Sequence, residues 1–517
     1  MAPLGIRPAA RWPLVVVPAA KLLFHLVLFA GYGIFRDELY YMACAERLAF
    51  GYVDHPPLSI AALWLVRLVA GDSLFAMRAV PALLGAATVL ATGLLVRKMG
   101  GRTFAQILAM LAVGWAPVLL SLQHFYSMNA FDLLFWSLAA LTWAYRDDLG
   151  ARHTWLLLGL LLGLGLQNKI SVLWLGAGLL AGVVATPRRR DLATRWPWIG
   201  GLLAAVLFAP HLIWQVAHDW PTLEFIDNAT GHKMVSRSLF EFFRSQIDMM
   251  NPLTAPLWLG GLLWLFFAHR GQSFRSLGWA YLVVFALLAA SGTSRPNYLA
   301  PAYGWLFAAG ATGFEGLTQA RWARWTLRPA VAALLLVGAA AIAPLAIPIL
   351  PVDSYIEWAK TLGAEPSTSE RKELGALPQF YADMHGWDEI AATAATVYDS
   401  LPADERARTV IAAPDYGVAG AIERLGRQRE LAPVACAHNS YWLWGLETLA
   451  EFDPTELTVI QIGGEFDDLA AVFGQVERVA HTDCGYCMPY EDGRPVYLAR
   501  RLQVPVETVW QASKHFD

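Results

Sequence analysis

The sequence predicts a polytopic α-helical membrane protein that carries a small α/β domain after its last apolar run. Three observations lead there. Of 517 residues, 56% are hydrophobic and 16% charged, whereas soluble domains carry about 25% charged residues. Apolar runs recur at close to the roughly 20 residues that a helix rising about 1.5 Å per residue needs to cross about 30 Å of hydrocarbon. These runs stop near Pro351, and short β-branched segments between polar, helix-forming ones follow. The domains are therefore read as 1–351, transmembrane, and 352–517, soluble. A net charge of −3 gives no support to bulk nucleic-acid binding.

Eleven candidate spans follow in order: Trp12–Tyr32, Leu74–Val96, Ala105–Leu122, Ala130–Tyr145, Thr154–Leu166, Val172–Ala185, Trp198–Val216, Pro252–Ala268, Leu277–Ala290, Tyr298–Leu317 and Pro329–Leu350. The first follows Arg7 and Arg11, as a signal peptide would. It contains Lys21 and His25 and has no small-residue cleavage site, so it is read as a retained helix. Several spans are short, and a pair could be re-entrant. Leu58–Val69 is apolar but short and carries Arg67, which suits an interfacial helix.

Lysine and arginine in the short loops set the orientation. Arg97, Lys98 and Arg102 fall on one side. Arg146 and Arg152, Arg188 to Arg190 with Arg195, Arg270 and Arg275, and Arg321, Arg324 and Arg328 fall on the same side. That side also holds Arg7 and Arg11 and is expected to be cytoplasmic. Eleven crossings then put outside Phe35–Ser73, Gln123–Asn129, Gln167–Ser171, His218–Asn251, Gly292–Asn297 and everything after Pro351.

In the tail, "TVIAA", "LTVIQIGG" and "PVYLARRL" read as strands, and "GWDEIAATAATVYDSL" and "AGAIERLG" as helices. Cys436, Cys484 and Cys487 lie there and Cys44 in the first external loop. "HTDCGYC" has the look of a zinc site, but a disulfide from one pair, or buried thiols, is the simpler account.

Chemistry-bearing residues gather on the expected outer face. Arg36, Asp37 and Glu38 open "DELYYMACAERLAFG", an amphipathic helical pattern expected to lie along the membrane surface and hold the acids at one depth. "VDHPPL" stiffens the chain around Asp54 and His55, because each proline locks φ and restrains its predecessor. Asp132 sits about one turn inside the fourth span, where an ionisable side chain needs a polar cavity or a partner. Lys169 interrupts apolar sequence at the outer boundary. There it either snorkels or meets a lipid phosphate. Arg295 and Tyr298 stand at the outer entry to the tenth span, and a guanidinium matches phosphate oxygens. His232, Lys233 and Arg237 lie in a long external loop and suit anionic headgroups or water. Carboxylates suit a general base for a hydroxyl, and cations suit a leaving phosphate. No Walker loop, dinucleotide glycine pattern or HExxH occurs.

In order, "RDELYY", "DHPPL", "FYSMNAFDLLF", "NKIS" and "SRPNYLAPAY" resemble the bacterial branch of the dolichyl-phosphate-mannose protein mannosyltransferase-like family, the GT-C glycosyltransferases. They are also similar to the lipid A aminoarabinose transferases. The resemblance runs through most of Gly31–Leu317. It implies a GT-C-like fold of about eleven transmembrane helices with interfacial helices in the first external loop, plus the small C-terminal α/β domain. It implies Asp37 as catalytic base, with Glu38 beside it. The family's Pro-Pro motif corresponds to Asp54-His55-Pro56-Pro57, with His55 where relatives often carry lysine. Asp132, Lys169, Arg295 and Tyr298 are implied as substrate-binding, and Lys233 joins them on its charge and place. The implied donor is a polyprenyl-phosphate-linked sugar, transferred usually with inversion to a lipid, glycan or protein acceptor. Some such enzymes need a divalent cation, which a carboxylate pair can hold. The implied location is the bacterial inner membrane, multi-pass, with the C-terminal domain extracytoplasmic. Two other classes compete: a transporter or lipid flippase, and a membrane-anchored binding protein whose tail does the work. The charges cluster at outer span ends and no paired halves are visible, which disfavours a transporter.

Overall fold

A computed structural model describes residues 10–450 and 452–517. Arg7, one of the residues used for orientation, lies outside them. All eleven apolar runs are helical, from Pro13–Val27 to Arg328–Ala346. Among the described residues, five helices are long and apolar enough to cross a membrane, or six if Leu239–Met249 and Pro252–Phe267, bent by 96°, form one broken span. The others are shorter. Ala105–Leu122, expected as one helix, is two, Thr103–Gly114 and Pro117–Leu122. Pro117 is the cause: it has no N–H for the ladder and pushes Ala116 into extended backbone with ψ 132°.

The chain forms two compact units. The first comprises the chain up to Gly31, Val69–Ile213 and Ser236–Pro351. The second comprises Tyr32–Leu68, Trp214–Val235 and Val352–Asp517. Two loops of the 1–351 stretch, Tyr32–Leu68 and Trp214–Val235, thus belong with the C-terminal residues.

In the first unit, small residues let helices touch backbone to backbone, as membrane bundles require. A Cβ at Gly261 would lie 2.0 Å from the Leu306 carbonyl, and one at Gly310 1.9 Å from that of Leu257. Alanine at either position would separate Ala255–Phe267 from Tyr303–Leu317. Buried cations close backbone breaks in the same unit. Lys21 donates to the Gly114 carbonyl at 2.7 Å, and Arg78 to that of Phe29 at 2.5 Å.

The second unit is built on a five-stranded sheet of order β2-β1-β3-β5-β4. Its strands are β1 Thr409–Ala413, β2 Val434–Cys436, β3 Thr458–Ile462, β4 Phe473–His481 and β5 Pro495–Leu502. β1 runs parallel to β2 and β3, and β5 is antiparallel to β3 and β4. The three strands expected from "TVIAA", "LTVIQIGG" and "PVYLARRL" are β1, β3 and β5. β2 has only three residues, and β4 is an edge strand whose residues are mostly exposed. Neither shows the apolar run or clean alternation by which a strand is found. Cys484 and Cys487 form a disulfide, and Cys44 and Cys436 are free and buried. The zinc reading of "HTDCGYC" is thereby replaced by the disulfide.

The pattern of Arg36–Glu46 predicts a helix lying along the membrane surface. Instead, Leu39 to Ala45 are all buried. It packs on Tyr416–Arg429, where a Cβ at Gly420 would come within 2.9 Å of Leu39. Its polar ends pair with the same helix: Arg47 with Glu423 at 2.7 Å and Glu46 with Arg427 at 2.5 Å. The amphipathic pattern is satisfied by protein on both sides. The helix Leu58–Ala70 does keep an apolar outer face, with Leu65 and Leu68 exposed.

A buried charge network also holds the second unit together. Arg36 and Arg494 each lie 3.6 Å from the Asp415 carboxylate and hold it down to about 2 against the opposing effect of burial. Burial first, then the Asp415 charge, pushes Glu491 up to about 7. A carboxyl whose folded value exceeds its unfolded one near 4.5 stabilises fully below that value, and the contribution fades as pH rises through about 7. Hydrogen exchange in the turn 482–494 should therefore accelerate between pH 5 and pH 8 beyond its intrinsic rise. Glu491→Gln should remove that excess, and an unchanged excess in the variant would refute the assignment.

Candidate active site

The site residues expected from sequence fall into two groups, one in each unit. In the first unit, Met128–Ala144 begins one turn before Asp132, so Asn129 and Asp132 share a helix face. Lys169 donates to Asn129 Oδ1 at 2.7 Å and lies 3.9 Å from Asp132 Oδ2. The Ser171 hydroxyl donates to Asp132 Oδ2 at 3.0 Å. The Lys169 ammonium also sits 4.8 Å from the centre of the Tyr298 ring, a cation–π distance. Asp132, Lys169 and Tyr298 are thus one cluster. Its ammonium has a neutral acceptor close by and its carboxylate about 1 Å further away (3.9 against 2.7 Å). Arg295 enters through its carbonyl, which accepts from Tyr298 N at 3.1 Å. Its guanidinium stands close enough to Arg237 to depress that group, after burial.

The second unit holds Asp37, Glu38, Asp54, His55 and Lys233. Both acids lie in the first turn of Arg36–Glu46, where the helix dipole favours negative charge. Their roles differ. Glu38 is 0% exposed and accepts from Phe35 N at 2.9 Å, closing the helix start as a capping carboxylate does. Asp37 is partly exposed and accepts from the Tyr416 hydroxyl at 3.1 Å. Adjacent helical residues do not face one point, so the two acids do not form a carboxylate clamp for a cation. Glu38→Gln keeps an acceptor for Phe35 N and should leave activity within about twofold of wild type. Glu38→Ala should cost about 1 kcal/mol of stability. If Glu38→Gln were as inactive as an Asp37 variant, Glu38 would be the base.

Asp54 accepts from the Tyr40 hydroxyl at 2.8 Å, and Ser440 Oγ lies 2.7 Å from the same hydroxyl. The single Tyr40 proton serves the carboxylate, and Ser440 donates to the phenol oxygen. His55 is fully buried, ringed by Tyr41 and Tyr52, each 4.9 Å away. Its Nε2 lies 3.8 Å from Asp54. His55, expected to contact substrate, is enclosed in this structure. Lys233 lies 3.9 Å from Glu370 and carries charge toward Asp517 and His438.

Tyr40, Ser440 and Tyr416 were missed from sequence, as were Asn129 and Ser171. The last two sit inside "SMNAFD" and "NKIS" and could have been found by helical spacing from Asp132 and proximity to Lys169. Tyr416 and Ser440 carry no such signal. Among the described residues, the groups spaced to hold a metal are His438, His515 and Asp517, and Cys484, Cys487 and Asp492. Neither group includes a predicted site residue, and the second is occupied by the disulfide.

The chain has the fold of the GT-C glycosyltransferases. Residues 54–214 match the family model described as dolichyl-phosphate-mannose-protein mannosyltransferase. Among solved structures, the chain is similar to ArnT from Cupriavidus metallidurans bound to undecaprenyl phosphate, with TM-score 0.62, 14% identity and coverage of 95% of this chain and 98% of that one. The apo form of the same protein gives TM-score 0.62 at 14% identity, covering 94% and 97%. The Archaeoglobus fulgidus oligosaccharyltransferase gives TM-score 0.48 at 14% identity, covering 80% and 63%. No curated protein matches the chain by sequence.

Proposed function

We propose that the chain is a membrane glycosyltransferase of the bacterial inner membrane. It moves a sugar from a polyprenyl-phosphate donor to a hydroxyl of a lipid, glycan or protein on the extracytoplasmic face. The observation that carries this reading is the division between the two adjacent acids. Glu38 is buried and accepts from Phe35 N at the helix start, while Asp37 stays partly exposed. The lysine–asparagine–aspartate cluster supports it with a positioned cation for a phosphate. The placement of arginine-rich loops on one side supports the extracytoplasmic assignment.

In this reading Asp37 accepts the proton of the acceptor O–H while the oxygen bonds to the anomeric carbon. The bond from that carbon to the phosphate oxygen breaks, and its electron pair leaves with the polyprenyl phosphate, which gains a negative charge. Lys169, steered by Asn129 and Asp132, stabilises that charge as it develops. Tyr298 fixes the ammonium from one side, and Arg295 offers a second cation. A single displacement of this kind inverts the anomeric centre.

ArnT's undecaprenyl phosphate makes that lipid the first carrier to test. Purified protein would be incubated with undecaprenyl-phosphate-linked sugars and an acceptor extract of bacterial membranes. The reading predicts release of undecaprenyl phosphate together with a new glycosylated product. Binding without release from any donor of the panel, or movement of the lipid across vesicles without a covalent product, would overturn it.

A further inference from the structure

We propose that Tyr416, contributed by the C-terminal α/β residues, is the positioning residue that fixes and charges the Asp37 carboxylate. The inference rests on the reading of Asp37 as base. Asp37 and Tyr40 are three apart on one helix and share a face. The Tyr416 ring stacks on Tyr40 with centroids 4.7 Å apart and an interplanar angle of 30°. The Arg36 guanidinium lies 4.7 Å from the centre of the same ring, and the His438 ring packs against it at 4.7 Å. Three neighbours therefore fix the ring, and the backbone beneath it is fixed as well. Asp415 accepts from Gly417 N at 2.9 Å and Val418 N at 3.1 Å, anchoring the start of the helix Tyr416–Arg429.

A phenol held this way is a rigid donor. Burial, then the Asp37 charge, pushes the Tyr416 hydroxyl well above its ordinary value, so the proton stays on Tyr416 and points to Asp37 Oδ1. The other charges near this pair are Arg36, Glu370 and Asp54, and Asp37 also faces Asp383. A hydrogen bond donated to a carboxylate favours its charged form, and Tyr416 donates one to Asp37 with these acids nearby. The stack also ties the two carboxylates together: Tyr40 donates to Asp54 while Tyr416 donates to Asp37. Under this proposal, the C-terminal residues belong to the catalytic apparatus.

Tyr416→Phe tests this, because phenylalanine keeps the ring and its three packing partners. With the undecaprenyl-phosphate sugar that turns over in the transfer assay, kcat should fall about tenfold, which corresponds to loss of one hydrogen bond to a charged group. The donor KM should stay within about twofold. The acid limb of the kcat profile should move up by about one pH unit. Asp37→Asn is run beside it. If Asp37→Asn is inactive while Tyr416→Phe shows wild-type kcat and an unmoved limb, the proposal falls and the base assignment stands. If Asp37→Asn is active, the base assignment itself falls. A Tyr416→Phe loss that tracks a lowered melting temperature with an unmoved limb would make Tyr416 merely structural and would also overturn the proposal.

Discussion

Replacing Asp37 by asparagine is expected to lower kcat by about 10²- to 10⁴-fold, the range for removal of a general base, while donor binding stays near wild type. Asparagine matches the shape of the carboxylate and can still accept from Tyr416, so the local packing survives and only proton acceptance is lost. The expected pattern is a fall in kcat with little change in KM, the mark of an interaction used in the transition state. A pre-steady-state measurement with labelled donor separates the two, since the donor should bind and wait. Parallel losses in donor affinity and turnover would mean that Asp37 contacts the donor.

The second large effect concerns Lys169. Lys169→Met should cost about 10²- to 10³-fold in kcat/KM, as removal of one stabiliser of a developing anion does, and it should weaken undecaprenyl phosphate binding as well. Lys169→Arg should not rescue it. The ammonium is a compact charge placed 2.7 Å from Asn129 Oδ1 and over the Tyr298 ring. A planar guanidinium on a longer stem cannot occupy that place. Near-wild-type turnover by Lys169→Arg would mean that charge alone, without the Asn129–Asp132 setting, suffices.

Sequence showed much of this before the structure. Asp132 and Lys169 stand out because an ionisable group in apolar sequence has few explanations, and the structure brings them together with Tyr298. Asp37 and Glu38 could not be separated from sequence. Both are acids in the same turn, and only the Phe35 N contact shows that Glu38 is spent on the helix start. Lys233 and His55 show a related limit of residue type. Their residue types suit phosphate, but type does not reveal that one faces Glu370 and the other is sealed among tyrosines.

The long-range parts were not legible. Tyr416 meets Asp37 across 379 residues, and Ser440 meets Tyr40 across 400. Periodicity carries no signal at that distance. The helix Arg36–Glu46 shows the same limit. Its amphipathic pattern implies two different environments, water or membrane on one side and protein on the other. The sheet-bearing unit supplies partners on both sides, with Glu423 and Arg427 meeting the charged end. Sequence resolved individual helices and the charges within them, but not which loops would pack with residues from the far end of the chain.

The central claim, transfer from a polyprenyl-phosphate sugar with Asp37 as base, is tested most directly by one measurement. Purified wild-type protein and Asp37→Asn would each be given labelled undecaprenyl-phosphate sugars with a membrane acceptor extract, and label transferred to acceptor would be counted against undecaprenyl phosphate released. The account predicts equal amounts of the two products from wild type and, from Asp37→Asn, bound donor with neither product. Equal transfer by the two proteins would contradict it.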